Sequence, residues 1–216
     1  MTLGDEVAVL RDGRLEQVDT PQDLYDHPRN MFVAGFVGSP PMNLLEARLE
    51  RRQGYVYAVL GGGCLRVPDE TMRERRSLEY RLGREVVLGI RPEHLEDEAL
   101  VDRSVRDRGA AFDVEVDAVE WLGAEQFVYV PWDAPPELVE PLNRLAAELD
   151  REVTRPQLVA RLDPRSDVRP GQKARLWFDP ANVHIFDVGT GERLTPSRLK
   201  GHVSEHQDSA GDRAHS

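Results

Sequence analysis

The residues that could do chemistry in this 216-residue chain do not fall into a recognised catalytic pattern. A nucleotide-hydrolysing loop needs the spacing G-x-x-x-x-G-K-[ST], and no stretch of the sequence has it. Gly171-Gln172-Lys173 places a lysine after a glycine, but it is predicted to be a turn before a strand. The glycine run 61–63 joins two predicted strands and does not open a helix, so its amides are not gathered at a positive helix end. Neither stretch is therefore predicted to bind phosphate.

Histidine and cysteine do not predict a metal site either. His202 and His206 are spaced i, i+4, but they would share a face only if their polar segment became helical. His94 and His184 are interpreted as satisfying local hydrogen bonds. Cys64 is the single cysteine, so neither an internal disulfide nor a paired-cysteine zinc site can form, and we expect a small buried side chain. We predict no catalytic, cofactor-binding or metal-binding residue in this chain.

The most informative polar stretch is Arg91-Pro92-Glu93, which follows a predicted buried strand over 86–90. Proline restricts the backbone of the turn, and the arginine and glutamate can pair with one another or with backbone carbonyls. The stretch is either a structural corner or a contact for a partner. We take Arg91, Pro92 and Glu93 as candidate regulatory or interface residues.

A second candidate surface is the stretch 120–125, which has an aromatic residue and a turn glycine between two predicted strands. Trp121 is either a core residue or the anchor of an interface, because tryptophan is enriched in both. Trp121 and Gly123 complete the set of candidate interface residues.

The first forty residues are predicted to form a hairpin and two short helices. Asp12-Gly13 is a pair that tolerates positive φ in a tight turn, and it separates two short apolar runs. Thr20-Pro21 is typical of a helix start, because threonine caps the orphan amides and proline needs no donor at the first position. A helix is predicted from Pro21 to about His27 and another over 30–37. Gly38-Ser39-Pro40-Pro41 then marks a domain boundary, so that residues 1–41 form one unit.

From Met42 to about residue 195 the pattern is one of short strands separated by turn residues, which is typical of a small barrel or sandwich. The clearest strand runs over 112–118, where apolar and acidic residues alternate. Leucines recur at helical spacing over 135–152 and predict an inserted helix. Residues 196–216 are polar and small, and we expect a disordered tail.

The overall charge excludes two classes of partner. The chain has 28 basic and 39 acidic side chains, for a net charge of −11. A surface of this sign has no general attraction to nucleic acid or to anionic lipid. The longest nearly apolar stretch, 32–37, is far shorter than the roughly 18 residues of a membrane-spanning helix. With one cysteine and no visible signal peptide, a reducing cytosol fits best.

Several segments, in the order in which they occur, resemble the ATP-binding subunits of ABC importers of the maltose, multiple-sugar and glycerol-3-phosphate type. The segments similar to the end of the nucleotide-binding domain are Asp12–Val18, Thr20-Pro21, Leu24-Tyr25 and Phe32–Pro40. The segments similar to the accessory OB-type domain are Leu88–His94, Glu120–Glu125, Val168–Gly171 and His184–Asp187. The resemblance covers nearly everything from residue 1 to about 195.

This resemblance implies a mainly β fold, in which an OB-type β-barrel or sandwich accessory domain follows a remnant of an α/β nucleotide-binding domain. It implies regulatory and dimerisation contacts for ATP-driven uptake of carbohydrate or glycerol phosphate. Full-length relatives use ATP and magnesium, whereas we predict no cofactor for this chain and expect it to be inactive alone. We expect the family's ATP-binding motifs to lie before Met1, the chain being a truncated or mis-started product.

The resemblance also implies partners and a location. In relatives the accessory domain pairs two subunits, so we expect a homodimer through the regulatory domain, and ABC permease subunits bind the full-length protein. The location would be cytoplasmic, and peripheral at the inner face of the cell membrane when the subunit is assembled with permeases.

Two further expectations follow. The apolar side chains of the first 38 residues would lack the partners that a complete α/β domain supplies, so this segment should be loose or dock opportunistically; these side chains are Val7, Val9, Leu10, Leu24, Phe32 and Phe36. The alternative function is a stand-alone OB-type module that binds a small ligand or an oligonucleotide. An aromatic content of 6% and the acidic balance argue against it, because such barrels bind single strands with basic grooves and stacking aromatics.

Overall fold

The structure is a computed structural model, and it describes residues 5–60, 63–74, 76–132 and 157–194. The predicted helix over 135–152 and the predicted tail over 196–216 lie outside the described residues.

The described residues form a mainly β architecture, as the sequence predicted. The strands are β1 Val7–Arg11, β2 Arg14–Asp19, β3 Asn43–Arg52, β4 Tyr55–Leu60, β5 Gly63–Arg66, β6 Glu85–Ile90, β7 Glu96–Asp97, β8 Ala110–Glu115, β9 Ala118–Leu122, β10 Glu125–Pro131, β11 Gln157–Leu162, β12 Lys173–Phe178 and β13 His184–Asp187. The α-helices are α1 Pro21–Asp26, α2 Met31–Phe36, α3 Asp69–Glu74 and α4 Arg103–Arg106. Short 3-10 helices span Arg76–Arg81, Pro92–His94, Glu98–Leu100 and Pro180–Asn182.

The strands pair into one hairpin and three larger sheets. The hairpin is β1–β2, the five-stranded sheet has the order β13-β6-β3-β4-β5, and the three-stranded sheets have the orders β7-β12-β8 and β11-β10-β9. All of the pairings are antiparallel. Strand β6 is in the interior of its sheet between β13 and β3, and its residues 86–90 are all buried.

One hydrophobic core joins the three larger sheets. Its cluster includes Leu88 from β6, Phe178 from β12 and Leu158 from β11, each 1% exposed or less. Burying side chains of this size is the main stabilising contribution to a fold of this kind, at about 2 kcal/mol each. The sheets are therefore parts of a single packed body.

The predicted hairpin and helix start are confirmed. Asp12 and Gly13 have φ values of 49° and 77°, the left-handed backbone that a two-residue turn requires. The amide of Asp23 donates to Thr20 Oγ1 at 3.1 Å, and Pro21 occupies the first helical position.

The prediction of one strand over 112–118 is wrong. Strand β8 ends at Glu115 and pairs with β12, whereas β9 begins at Ala118 and pairs with β10 in another sheet. Between them, the amide of Val116 donates to Gln172 O and the amide of Asp117 to Tyr129 O. The chain thus changes partner strands within two residues. The alternation of apolar and acidic residues continues across this change, so it could not predict it.

Cys64 is also placed differently from the prediction. It lies on β5, the edge strand of the five-stranded sheet, and it is exposed. The neighbouring Leu65 is 1% exposed, so the strand's alternation turns Leu65 inward and Cys64 outward.

The apolar side chains of the N-terminal unit divide into two groups. Val9, Leu24 and Phe32 are 5% exposed or less and pack together with Val33, so the expectation that they lack partners is wrong. Val7 and Leu10 are 39% and 58% exposed. Phe36, at 56%, is also exposed, which agrees with that expectation.

Helix α2 rests on the five-stranded sheet, and a glycine makes room for this contact. Met31 and Ala34 of α2 form a small buried cluster with Met42, Val87 and Phe186. A Cβ at Gly89 would lie 2.4 Å from Met42 Sδ and 2.7 Å from Phe186 Cε2. Only glycine at this position of β6 lets the two side chains approach the sheet closely enough to support the helix.

Candidate functional site

The candidate stretch that begins at Arg91 lies where the N-terminal unit meets the five-stranded sheet. Arg91 follows the last residue of β6 and is 1% exposed. Its Nη1 donates to Val37 O at 2.5 Å and to Ala34 O at 3.2 Å, and its Nη2 donates to Tyr25 O at 2.6 Å. These oxygens belong to the last turns of α1 and α2 and to the residue after α2, where carbonyls lack helical partners and the helix dipole is negative. The guanidinium therefore satisfies the ends of both helices at once.

Tyr25 is held from two sides by this stretch. The Arg91 Cζ lies 3.9 Å from the centroid of the Tyr25 ring, and the Tyr25 hydroxyl donates to a carboxylate oxygen of Glu93. Burial, and then the hydrogen bond to the Glu93 carboxylate, raises the pKa of Tyr25 to about 12. The phenol thus remains a hydrogen-bond donor throughout the physiological range.

The electrostatics of Arg91 follow from its burial. Burial lowers the pKa of Arg91, while the nearby Tyr25 and Glu93 act in the opposite direction. A guanidinium remains protonated in spite of such a shift, so the charge is retained inside the fold.

Pro92 is buried at the start of a 3-10 helix that lies against β11. Burial also lowers the pKa of His94, which favours the neutral imidazole.

A second contact attaches the N-terminal unit to the same sheet. The amide of Met31, at the start of α2, donates to Gly191 O at 2.9 Å, and the amide of Arg193 donates to Arg29 O at 2.9 Å. Asp187, at the end of β13, organises the intervening turn by accepting hydrogen bonds from the Gly189 and Thr190 amides at 2.9 Å and 2.8 Å. The N-terminal unit is therefore anchored at both ends of α2.

Trp121 and Gly123 lie apart from this site. Trp121 is in β9, the edge strand of the sheet β11-β10-β9, and Gly123 with φ 66° forms the turn that leads into β10. Trp121 is 55% exposed and the adjacent Leu122 is 61% exposed. The interpretation of Trp121 as a core residue is thus wrong, and the structure leaves it as a large apolar side chain on the surface.

Sequence reasoning gave no role to two residues of the Arg91 site. Tyr25 offers its ring face to Arg91 and its hydroxyl to Glu93. Gly38 leaves room for both side chains, because a Cβ there would lie 3.1 Å from both Arg91 Nη1 and Tyr25 Cε2. Gly38 has φ 115°, which other residues rarely adopt. Its position in a glycine–proline boundary signalled a turn but not the approach of an arginine 53 positions later.

The described part of the chain contains no group of three or more histidine, cysteine or acidic side chains placed to hold a metal ion. None of the helices in the described ranges has both the length and the apolar character needed to cross a bilayer.

Comparison with protein-family models identifies the domains. Residues 38–95 match the MalK OB fold domain and residues 88–152 match the TOBE domain. The first match confirms the OB-type, mainly β fold class that the sequence predicted, whereas the TOBE domain was not predicted.

In the curated relatives that match this chain, the matching region is part of a longer protein. The chain is 38% identical over 196 residues to a trehalose import ATP-binding protein of Mycobacterium tuberculosis. It is 31% identical to an oligosaccharides import ATP-binding protein of Bacillus subtilis, and 34% identical to an sn-glycerol-3-phosphate import ATP-binding protein of Cereibacter sphaeroides. Each match covers 90% of this chain and 48%, 46% and 44% of the respective relative. The chain therefore spans about half the length of the curated relatives it matches.

The chain is homologous to the C-terminal half of the ATP-binding subunits of sugar and glycerol-3-phosphate ABC importers, and it contains the MalK OB fold and TOBE domains. A solved structure, that of the cytoplasmic molybdate-binding protein ModG, aligns over 66% of this chain and 94% of ModG. The TM-score is 0.41 with 17% identity, a likeness too low to support an argument.

Proposed function

We propose that this chain provides the regulatory and dimerisation contacts of an ATP-driven importer for carbohydrate or glycerol phosphate. The observation that carries the proposal is the match of 90% of the chain to the C-terminal half of import ATP-binding proteins. The proposed organisation is an ATPase-domain remnant over 1–41, an OB-type regulatory domain over 42–195 and a tail over 196–216. In the cell it would lie in the cytoplasm, at the inner face of the membrane when permease subunits are bound.

A domain replacement tests this function directly. The corresponding C-terminal half of the mycobacterial trehalose import ATP-binding protein is replaced by this chain, and trehalose uptake is measured in cells that lack the native subunit. We expect the hybrid to restore at least about a tenth of native uptake, because an accessory domain of the same family should seat on the same ATPase domain. A hybrid without any accessory half is the matched control.

Two results would contradict the proposal. One is a hybrid that accumulates and hydrolyses ATP but gives no more uptake than the control lacking the accessory half. The other is specific, magnesium-dependent ATP hydrolysis by the purified chain, since we expect it to be inactive alone. Salt-sensitive retention of the chain on single-stranded DNA would instead favour the alternative, an oligonucleotide-binding module.

Homodimerisation through the regulatory domain is the second part of the proposal, and we place Trp121 at the contact. Trp121 and Leu122 end strand β9, and both side chains are exposed. Within the described residues β9 is the edge strand of its sheet, and an edge strand can pair with a second copy. Tryptophan is one of the residue types enriched among the residues that dominate binding energy at interfaces.

Changing Trp121 to alanine is expected to weaken the homodimer at least tenfold, which corresponds to about 1.4 kcal/mol. Sedimentation equilibrium over a range of protein concentrations measures the dissociation constant. Tyr80→Ala is the matched control, because Tyr80 is an aromatic residue that is 81% exposed on a different element. Equal dissociation constants for the Trp121 variant and the unchanged protein would exclude this surface.

A further inference from the structure

The contact between Arg91 and the N-terminal unit differs from an ordinary buried ion pair. The three hydrogen bonds of its two Nη atoms all go to backbone carbonyls, which belong to α1, to α2 and to the residue that follows α2. A carbonyl cannot be repositioned by a side-chain rotation, so the guanidinium fixes the backbone of both helices relative to β6. The planar fork of arginine can hold three such acceptors at once, which a lysine ammonium on a flexible stem cannot do in the same geometry.

Tyr25 and Glu93 add a second restraint on α1. The Tyr25 ring lies over the guanidinium, and its hydroxyl is bonded to the Glu93 carboxylate. Arg91 and Glu93 are two residues apart in the same turn, so this turn holds Tyr25 by both its face and its tip. The absence of a side chain at Gly38 leaves the space into which Arg91 Nη1 and the Tyr25 ring fit.

We propose that Arg91, Tyr25 and Glu93 form an orientation latch that holds α1 and α2 in one fixed arrangement on the five-stranded sheet. In the longer relatives, the domain that contains the N-terminal unit would then move together with the accessory domain instead of swinging on a flexible linker at 38–41. This second statement rests on the proposed function, whereas the latch itself concerns only the described residues.

The latch is tested by measuring a distance between the two parts that it joins. Cys64 is the single cysteine and is exposed on β5, so it accepts one spin label. A second label is placed with Gln22→Cys on the exposed side of α1. Double electron–electron resonance gives the distance distribution between the labels, and dilution with unlabelled chain removes distances between copies.

In the doubly labelled protein we expect one narrow distance distribution. Arg91→Met keeps the length of an apolar stem but removes the three donors, and it is expected to widen the distribution at least twofold. Arg91→Lys is expected to widen it less, because one ammonium can replace only part of the contact. Arg48→Met is the matched control: Arg48 pairs with Glu85 at the exposed surface of the same sheet, so its loss should leave the width unchanged.

A distribution of unchanged width in folded Arg91→Met would overturn the latch. If circular dichroism shows that Arg91→Met is unfolded, the variant Tyr25→Phe tests the latch instead. It removes only the hydroxyl that bonds to Glu93. Broadening in Tyr25→Phe supports the latch, and a width equal to that of the Arg48→Met control contradicts it. None of these outcomes depends on dimerisation or transport, so failure of the latch and failure of the proposed function can be distinguished.

Discussion

Replacing Asn43 with alanine is expected to lower the free energy of unfolding by about 3 kcal/mol, because one side chain joins two sheets. Asn43 begins β3 of the five-stranded sheet and is 6% exposed. Its Nδ2 donates to Ile90 O at 3.1 Å and to Val159 O at 2.9 Å, while its Oδ1 accepts from the Val159 amide at 2.7 Å. Alanine would leave the amide and carbonyl of Val159, on β11, without these partners, and an unsatisfied buried group costs about 1 to 3 kcal/mol.

Urea unfolding followed by tryptophan fluorescence measures this change in stability. Asn182→Ala is the matched control, because Asn182 is exposed in a 3-10 helix and its backbone bonds persist in the variant. The control is expected to change stability by less than about 0.5 kcal/mol. A loss below about 1 kcal/mol for Asn43→Ala, at an unchanged denaturant slope, would mean that the two sheets are held without this amide.

The stability of the protein is expected to fall by about 2 to 3 kcal/mol between pH 6 and pH 4 because of His184 alone. Burial in β13 lowers the pKa of His184 to about 3 from its ordinary 6.5, and the positive charges of Arg193 and Arg91 contribute further. His94 and His27 lower it in the same direction. The folded state therefore keeps the imidazole neutral at pH values where the unfolded chain binds a proton.

The direction in which the free energy of unfolding changes with pH follows from this difference in proton binding. Above about pH 6.5 both states carry a neutral His184, and the group has no effect on stability. As the pH falls below 6.5 the unfolded chain takes up a proton and is favoured, by about 1.4 kcal/mol per pH unit, until the folded pKa near 3 is reached.

Denaturant unfolding at pH 7, 6, 5 and 4 measures this dependence. His184→Gln serves as the comparison, because it removes the titrating group while the carboxylates and His94 still titrate in both proteins. The difference in unfolding free energy between the two proteins should change by about 2 to 3 kcal/mol from pH 6 to pH 4. A difference that is constant with pH would show that His184 is protonated without cost in the folded state.

The Arg91 site and the Asn43 bridge have the same structural consequence. Arg91 attaches the N-terminal unit to the end of β6, and Asn43 attaches the start of β3 to β11. Since β3 and β6 are neighbours in one sheet, the five-stranded sheet is bonded both to the preceding unit and to the sheet that contains β11. Substitutions that disrupt the five-stranded sheet should therefore weaken both the Arg91 contact with the N-terminal unit and the Asn43 contact with β11.

Features with local causes could be predicted from the amino-acid sequence. Asp12-Gly13 specified the first turn, since the positive φ of a two-residue hairpin is a property of the residues in it. Thr20-Pro21 specified the start of α1 for the same kind of reason. The order of the short motifs also predicted the resemblance to import ATP-binding proteins, because each motif is a contiguous stretch of the chain.

The roles of the candidate site residues depend on contacts between distant parts of the chain. The carbonyls that Arg91 binds lie 54 to 66 positions earlier, and Asn43 bonds to a residue 116 positions later. No local pattern specifies such partners, so the sequence left open whether Arg91 forms a structural corner or a partner contact. The sequence also could not show that β8 and β9 belong to different sheets, or that the Cys64 side chain points to solvent, for the same physical reason. Each depends on which strand lies alongside, and that is decided when distant parts of the chain bury their apolar faces together.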